Sequence, residues 1–135
     1  MFDTKIAIVV REDLAVWQKL NVTAFLTSGI IGAAESLLGE AYEDAAGNRY
    51  RALLIQPVIV LSADHATIRK IYQRAMDREV PLSLYIDEMF GTGHDAANRA
   101  SVKLCDPANM SLAGLALHDD KKLVDKITKG AKLHR

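Results

Sequence analysis

Residues 6–10 read Ile-Ala-Ile-Val-Val, an unbroken apolar run rich in β-branched side chains, and Arg11, Glu12 and Asp13 follow at once. A strand with one wet face alternates polar and apolar residues, whereas a strand without alternation is covered on both faces. This run therefore demands a sheet with helices packed on each side, entered at a charged corner.

The rest of the chain alternates accordingly. A first helix is expected from about Leu14 or Gln18 to Leu38, with Leu20, Ala24, Ile31, Ala34 and Leu38 at helical spacing and Gly39 as its stop. Its other face carries Asn21, Thr23, Thr27, Ser28 and Gly29 and no charge. A helix so poor in charge is buried on most sides or covered by a partner subunit, and a homodimer is the partner expected. Residues 40–51 are polar, with a Gly47-Asn48 turn signal, and read either as an edge hairpin or as a loop. Val58–Leu61 is a second buried strand. Ser62 or Asp64 caps a second helix, whose inward row is Ile68, Ile71, Tyr72, Ala75 and Met76. Leu82–Asp87 and Leu112–Leu117 are a third and a fourth strand. Asp119 or Asp120 caps a last helix that turns Leu123, Val124 and Ile127 inward and ends at Gly130. The expected fold class is α/β, a three-layer α/β/α sandwich around a mixed sheet of about four strands, in one domain over residues 1–135.

Charge and cysteine usage narrow the function classes. Lys plus Arg and Asp plus Glu number 17 each, so nothing global pulls the chain toward nucleic acid or an anionic membrane. Cys105 stands alone, which rules out an intrachain disulfide and suits a reducing compartment. Only Lys5 to Val10 separates the start from the first charge cluster, too short for a secretory leader, and no apolar run is long enough for a membrane helix. A cytoplasmic protein without membrane contact is expected.

Ligands of open α/β sheets bind beyond the carboxyl ends of strands. Three places qualify here: Arg11–Asp13, Asp87–Asn98 and His118–Asp120. The second is the richest. "DEMFGTGHDAANR" gathers Asp87, Glu88, Thr92, His94, Asp95, Asn98 and Arg99, with Gly91 and Gly93 free to take unusual backbone angles. It reads equally as a binding loop or as a solvated loop whose Thr92 or Asp95 caps a short helix over 95–103. Gly-Thr-Gly lacks the lysine and the spacing of a phosphate loop. His65, His94 and His118 each neighbour an aspartate, but none of the spacings is a ligand pattern, so neither metal nor cofactor is expected. His94 and His118 both follow strands and are candidates to meet. Cys105 reads as a buried, inert thiol ahead of a nucleophile. The tail from His118 to Arg135 is locally basic, able to touch phosphate or simply to be solvated.

The quoted pieces resemble the type II peptidyl-tRNA hydrolases. "VVREDL" (9–14) looks like that family's strand-to-helix corner. The strand ending at Asp87 with Gly and Thr soon after is similar to its middle motif, and "LAGLALHDDKKLVDKITKGAKLHR" is similar to its last strand, helix and tail. "KLNVTAFLTSG" and "GTGHDAANRASV" are closer still to an uncharacterised bacterial family of the same fold. The resemblance implies a peptidyl-tRNA hydrolase II-like sandwich, often dimeric. It also implies that a first-helix Lys, the Asp after the third strand and a nearby Thr cleave the ester between peptide and tRNA. The Asp falls on Asp87 and the Thr, across a longer segment, on Thr92. The Lys falls near Asn21, while Lys19 points about 200° away round the helix. Phe25, Leu26 and Thr27 stand where that family has a Gln and a His. A neutral Asn donates a hydrogen bond but supplies no cation for a phosphate or an oxyanion. Hydrolysis of peptidyl-tRNA, and tRNA as partner, are accordingly disfavoured. The reading reached is a repurposed site for a small polar ligand, with Asp87, Thr92 and His94 as catalytic candidates and Arg11, Asn21 and Asn98 as binding candidates. Asp13 is read as a cap for the first helix.

Overall fold

The computed structural model describes residues 2–135. In chain order the elements are β1 (Thr4–Arg11), α1 (Val16–Ala33), β2 (Tyr42–Glu43), β3 (Arg49–Tyr50), β4 (Val58–Ala63), α2 (His65–Asp77), β5 (Ser83–Ile86), α3 (Asp95–Lys103), β6 (Leu112–Asp120), α4 (Lys121–Ile127) and β7 (Lys132–Leu133). Short 3₁₀ turns cover Glu35–Leu37, Asp87–Gly91 and Pro107–Asn109.

The main sheet has five strands in the order β5-β6-β1-β4-β7. β1 and β4 run parallel, with Ile6 opposite Val58; β6 is antiparallel to both β1 and β5, and β7 is antiparallel to β4. The count is one more than expected, because the tail at Lys132 and Leu133 pairs with Ser62 and Leu61. The chain is therefore a mixed α/β protein, with four helices among the described residues. Along β1, Ile6, Ile8 and Val10 face α1, whereas Ala7 and Val9 join the core under α2 and α4. Both faces of β1 are covered, which is why the strand shows no alternation.

The face that α1 buries differs from the expected one. Val22, Leu26 and Ile30 pack inward, while Leu20 is 68% exposed. Glycine decides this contact. A Cβ on Gly114 of β6 would lie 2.7 Å from Val22 Cγ1 and 2.9 Å from the Val9 carbonyl, and one on Gly29 would run into the Ser83 hydroxyl. Helix and sheet touch through these two gaps in side-chain volume. α1 also ends at Ala33 rather than Leu38; the chain then tightens into the 3₁₀ turn, and Gly39 N donates to the Leu53 carbonyl at 3.0 Å.

In α2 the inward row is Ile68, Ile71, Tyr72 and Ala75, while Met76 is half exposed. Asp64 caps this helix by accepting from Thr67 N at 2.8 Å, and Asp120 caps α4 by accepting from Lys122 and Leu123 N. Residues 42–50 form a hairpin, closed by Asp44 accepting from Ala46 and Asn48 N at 2.9 Å and by Gly47 at φ +87°.

Candidate functional site

Strand direction sorts the three candidate places. β5 and β1 both run antiparallel to β6, so Asp87 and Arg11 lie at the same end of the sheet. His118 lies near the other end, opposite Ile6 at the start of β1. His94 and His118 therefore do not meet, and His118–Asp120 is not part of a site with the other two. His118 Nε2 is buried without a hydrogen-bond partner.

At the shared end, the polar residues divide into two groups. The first is a corner built on Arg11, which is buried. Its Nη1 donates to Asp87 Oδ1 at 2.9 Å, to Asp87 Oδ2 at 3.0 Å and to the Leu112 carbonyl at 3.0 Å. Its Nε donates to Asp13 at 2.6 Å. Ser111 Oγ donates to Asp87 as well, and Asp87 N donates to the Ser111 carbonyl at 3.0 Å. Burial lowers the Arg11 guanidinium, but the hydrogen bonds and charges of Asp13 and Asp87 hold it above its ordinary value. Asp13 thus serves Arg11 rather than capping α1, whose first residue is preceded by Ala15, with Ala15 N donating to Gln18 Oε1 at 2.9 Å.

The second group lines a cleft of about 720 Å³ beside β5, which is an edge strand. α1 contributes one stripe at four-residue spacing, Trp17, Asn21 and Phe25. The edge strand adds Tyr85, the following 3₁₀ turn adds Phe90, and α3 closes the far side with Asn98 and Val102. The aromatic rings form a relay. Trp17 meets Phe90 edge-on at 5.8 Å between centroids, Phe90 meets Tyr85 at 5.0 Å, and Tyr85 meets Phe25 at 5.9 Å. Trp17 and Phe25 remain 61% and 52% exposed, an unusual cost for such large rings unless something covers them.

The cleft's polar groups are placed with care. Burial pushes the Tyr85 phenol up, while a hydrogen bond with the Asn21 side chain works the other way. Thr92 Oγ1 bonds to the Met89 carbonyl at 3.0 Å and to Asn98 Oδ1. His94 Nδ1 accepts from Ala97 N at 3.2 Å, so His94 caps α3 and its Nε2 is left as the ring's donor. Arg99 pairs with Asp95 one turn back, on the surface.

Of the residues singled out from the sequence, the cleft collects Asn21, Thr92, His94, Asp95, Asn98 and Arg99, while Arg11 and Asp87 belong to the corner and do not line it. Gly91 and Gly93 take ordinary backbone angles, and a Cβ on either would meet nothing, so neither supplies the special geometry expected of it. Cys105 is half-buried; burial and then Glu88, 3.6 Å away, push its thiol up, away from the thiolate that a nucleophile needs. Among the described residues no cluster of His, Cys, Asp and Glu has the makings of a metal site, and no helix is long and apolar enough to cross a membrane.

The residues that the sequence reading missed are Trp17, Phe25, Tyr85 and Phe90. Their signal was available: the chain has only eight aromatics by its count of Trp, Tyr and Phe, and two of them flank Asn21 at equal four-residue spacing.

Residues 4–135 match the pattern of a family described as protein of unknown function, DUF2000. A solved structure of a protein of unknown function from Agrobacterium tumefaciens strain C58 is 57% identical, with each chain covered over 100% of its length and a TM-score of 0.98. No functionally curated protein matches the chain.

Proposed function

The chain belongs to the DUF2000 family, and we propose that it is a binding protein for a small ligand with a planar apolar ring and polar substituents, held in the cleft beside β5. The observation that carries this reading is the relay of four aromatic rings, two of them largely uncovered, around a cavity of small-molecule size. The ring stacks on Trp17, and Phe25, two helical turns along α1, packs on the ligand's other end. The amides of Asn21 and Asn98 and the Nε2–H of His94 read its polar edge. Thr92 orients Asn98. Asp87 and Arg11 act one layer away, holding the 3₁₀ turn that presents Phe90.

Binding is favoured over catalysis because the groups with acid, base or nucleophilic character are already engaged. Asp87 is paired with Arg11 and bonded by Ser111, His94 Nδ1 is spent on the α3 cap, and the Cys105 thiol is raised. On this reading the architecture is the peptidyl-tRNA hydrolase II-like sandwich with its hydrolytic site converted: Asn21 occupies the place of the cation and Asp87 is tied down. The protein is cytoplasmic. A library of planar heterocycles tests the proposal by thermal shift and by the fluorescence of Trp17, the chain's single tryptophan. Binders should raise Tm and change the emission. A library-wide absence of both effects, or release of peptide from peptidyl-tRNA, would overturn it.

A second reading, self-association as a homodimer, is favoured by the outer face of α1, where Val16 is 73% and Leu20 68% exposed. Sedimentation as a monomer at micromolar concentration would remove it.

A further inference from the structure

A second depression lies on the other flank of α1. Its lining is Lys19, Ser62, Lys132, Leu133, His134 and Arg135, and its volume is about 670 Å³. It shares no residue with the aromatic cleft. Lys19 stands two residues, about 200°, from both Trp17 and Asn21, so one helix serves both places with opposite sides.

Three features make this groove more than a solvated basic tail. First, its charge is of one sign. Among the described residues no Asp or Glu side chain lines it, and Lys19, Lys132 and Arg135 enter no side-chain ion pair, although the chain as a whole has equal numbers of acidic and basic residues. Second, the backbone that carries the charges is fixed. Lys132 and Leu133 are paired with Ser62 and Leu61, and His134 N donates to the Val60 carbonyl at 3.0 Å. The cationic side chains are thus delivered to one place without having an internal partner. Third, the groove lies along the β4–β7 edge of the sheet, where Ser62, the residue before the end of β4, pairs with Lys132.

We propose that this groove binds a phosphate group, free or as the monoester of a small molecule. Lys19, Lys132 and Arg135 supply the countercharge, and the Ser62 hydroxyl and the His134 ring supply neutral donors. Leu133 is the only large apolar side chain in the lining, so the recognised part is the anion rather than a hydrophobic body. Three cationic side chains in one lining suit a dianion better than a carboxylate, and the volume admits a small phosphate monoester.

The test is an NMR titration of the ¹⁵N-labelled full chain at low ionic strength with inorganic phosphate, ribose 5-phosphate and a single-stranded RNA decamer. Saturable shifts should map to Lys19, Ser62, Lys132 and His134, with a dissociation constant of about 1 mM or tighter for at least one of the two small phosphates. Tighter binding of ribose 5-phosphate assigns the monoester, and tighter binding of inorganic phosphate assigns the free ion. Lys132→Ala and Lys19→Gln, both at positions outside the core, should each weaken binding about tenfold, the worth of one charge-assisted contact. Trp17→Ala should leave phosphate binding unchanged, so failure here and failure of the cleft reading are separable. No saturation by about 10 mM of either small phosphate, an unaltered affinity in both lysine variants, or binding of the RNA alone would overturn the proposal.

Discussion

The Arg11 corner and the aromatic cleft stand at the same end of one sheet, yet they spend their polar groups in opposite ways. In the corner the charged groups are turned on one another: Arg11 serves Asp13, Asp87 and the Leu112 carbonyl, and Ser111 also bonds Asp87. In the cleft the apolar rings are left open to solvent and the amides face a cavity. The charged residues are the more conspicuous in the sequence, but charges already paired with one another have less capacity left for a ligand. Unused bonding and contact capacity, rather than density of charge, marks the place to look for function.

If the corner is structural and the cleft functional, variants should separate stability from binding. The largest stability loss is expected from Asp87→Ala. It leaves the buried Arg11 with Asp13 as its one remaining carboxylate and should cost about 2–3 kcal/mol in urea unfolding, less than a fully buried pair because the Asp87 side chain is 36% exposed. An unchanged denaturation midpoint would erase the distinction between the two regions. Gly114→Ala should follow at about 1–3 kcal/mol, since its Cβ meets Val22 and the Val9 carbonyl and must push α1 off the sheet. Because α1 carries one wall of the cleft, this variant should also weaken ligand binding, which Asp87→Ala should do far less. Trp17→Ala reverses the pattern: it should change stability by under about 1 kcal/mol, as the ring is 61% exposed, while weakening a stacked ligand about tenfold or more. The smallest effect lies far from both regions. The Asn48 side chain, then the Tyr50 hydroxyl, hold the Asp44 carboxylate down to about 2. A depressed folded pKa stabilises above the ordinary carboxylate value near 4 and loses that contribution as pH falls through about 2. The hairpin over 42–50 should therefore loosen with a midpoint near 2 in the Tyr50 ring signals; a midpoint near 4 would show that the Asp44 bonds are not made in solution.

The layered fold was legible because its signals are local. Ile6–Val10 lacks alternation, Asp64 and Asp120 are caps, and Ile68, Ile71, Tyr72 and Ala75 repeat at helical spacing. The inward face of α1 was not, because that helix is apolar or small nearly all round. The choice of Val22 over Leu20 depends on Gly114, more than ninety residues away. β7 was missed for the same reason: two tail residues become a strand only because β4 offers an open edge. For the site, Asn21, Thr92, His94 and Asn98 stood out as polar residues in apolar or glycine-rich company. Trp17, Phe25, Tyr85 and Phe90 did not, since aromatic residues ordinarily read as core and only their exposure separates a platform from a core.

The most direct test of the contrast between corner and cleft is a fragment screen followed by amide and side-chain chemical shifts on the ¹⁵N-labelled protein. Planar heterocycles should perturb the Trp17 indole and the side-chain amides of Asn21 and Asn98 together, and leave the Arg11 Nε and the Ser111 and Asp87 amides in place. Perturbations centred on Arg11, Asp87 and Ser111, with the Trp17 indole unmoved, would contradict it.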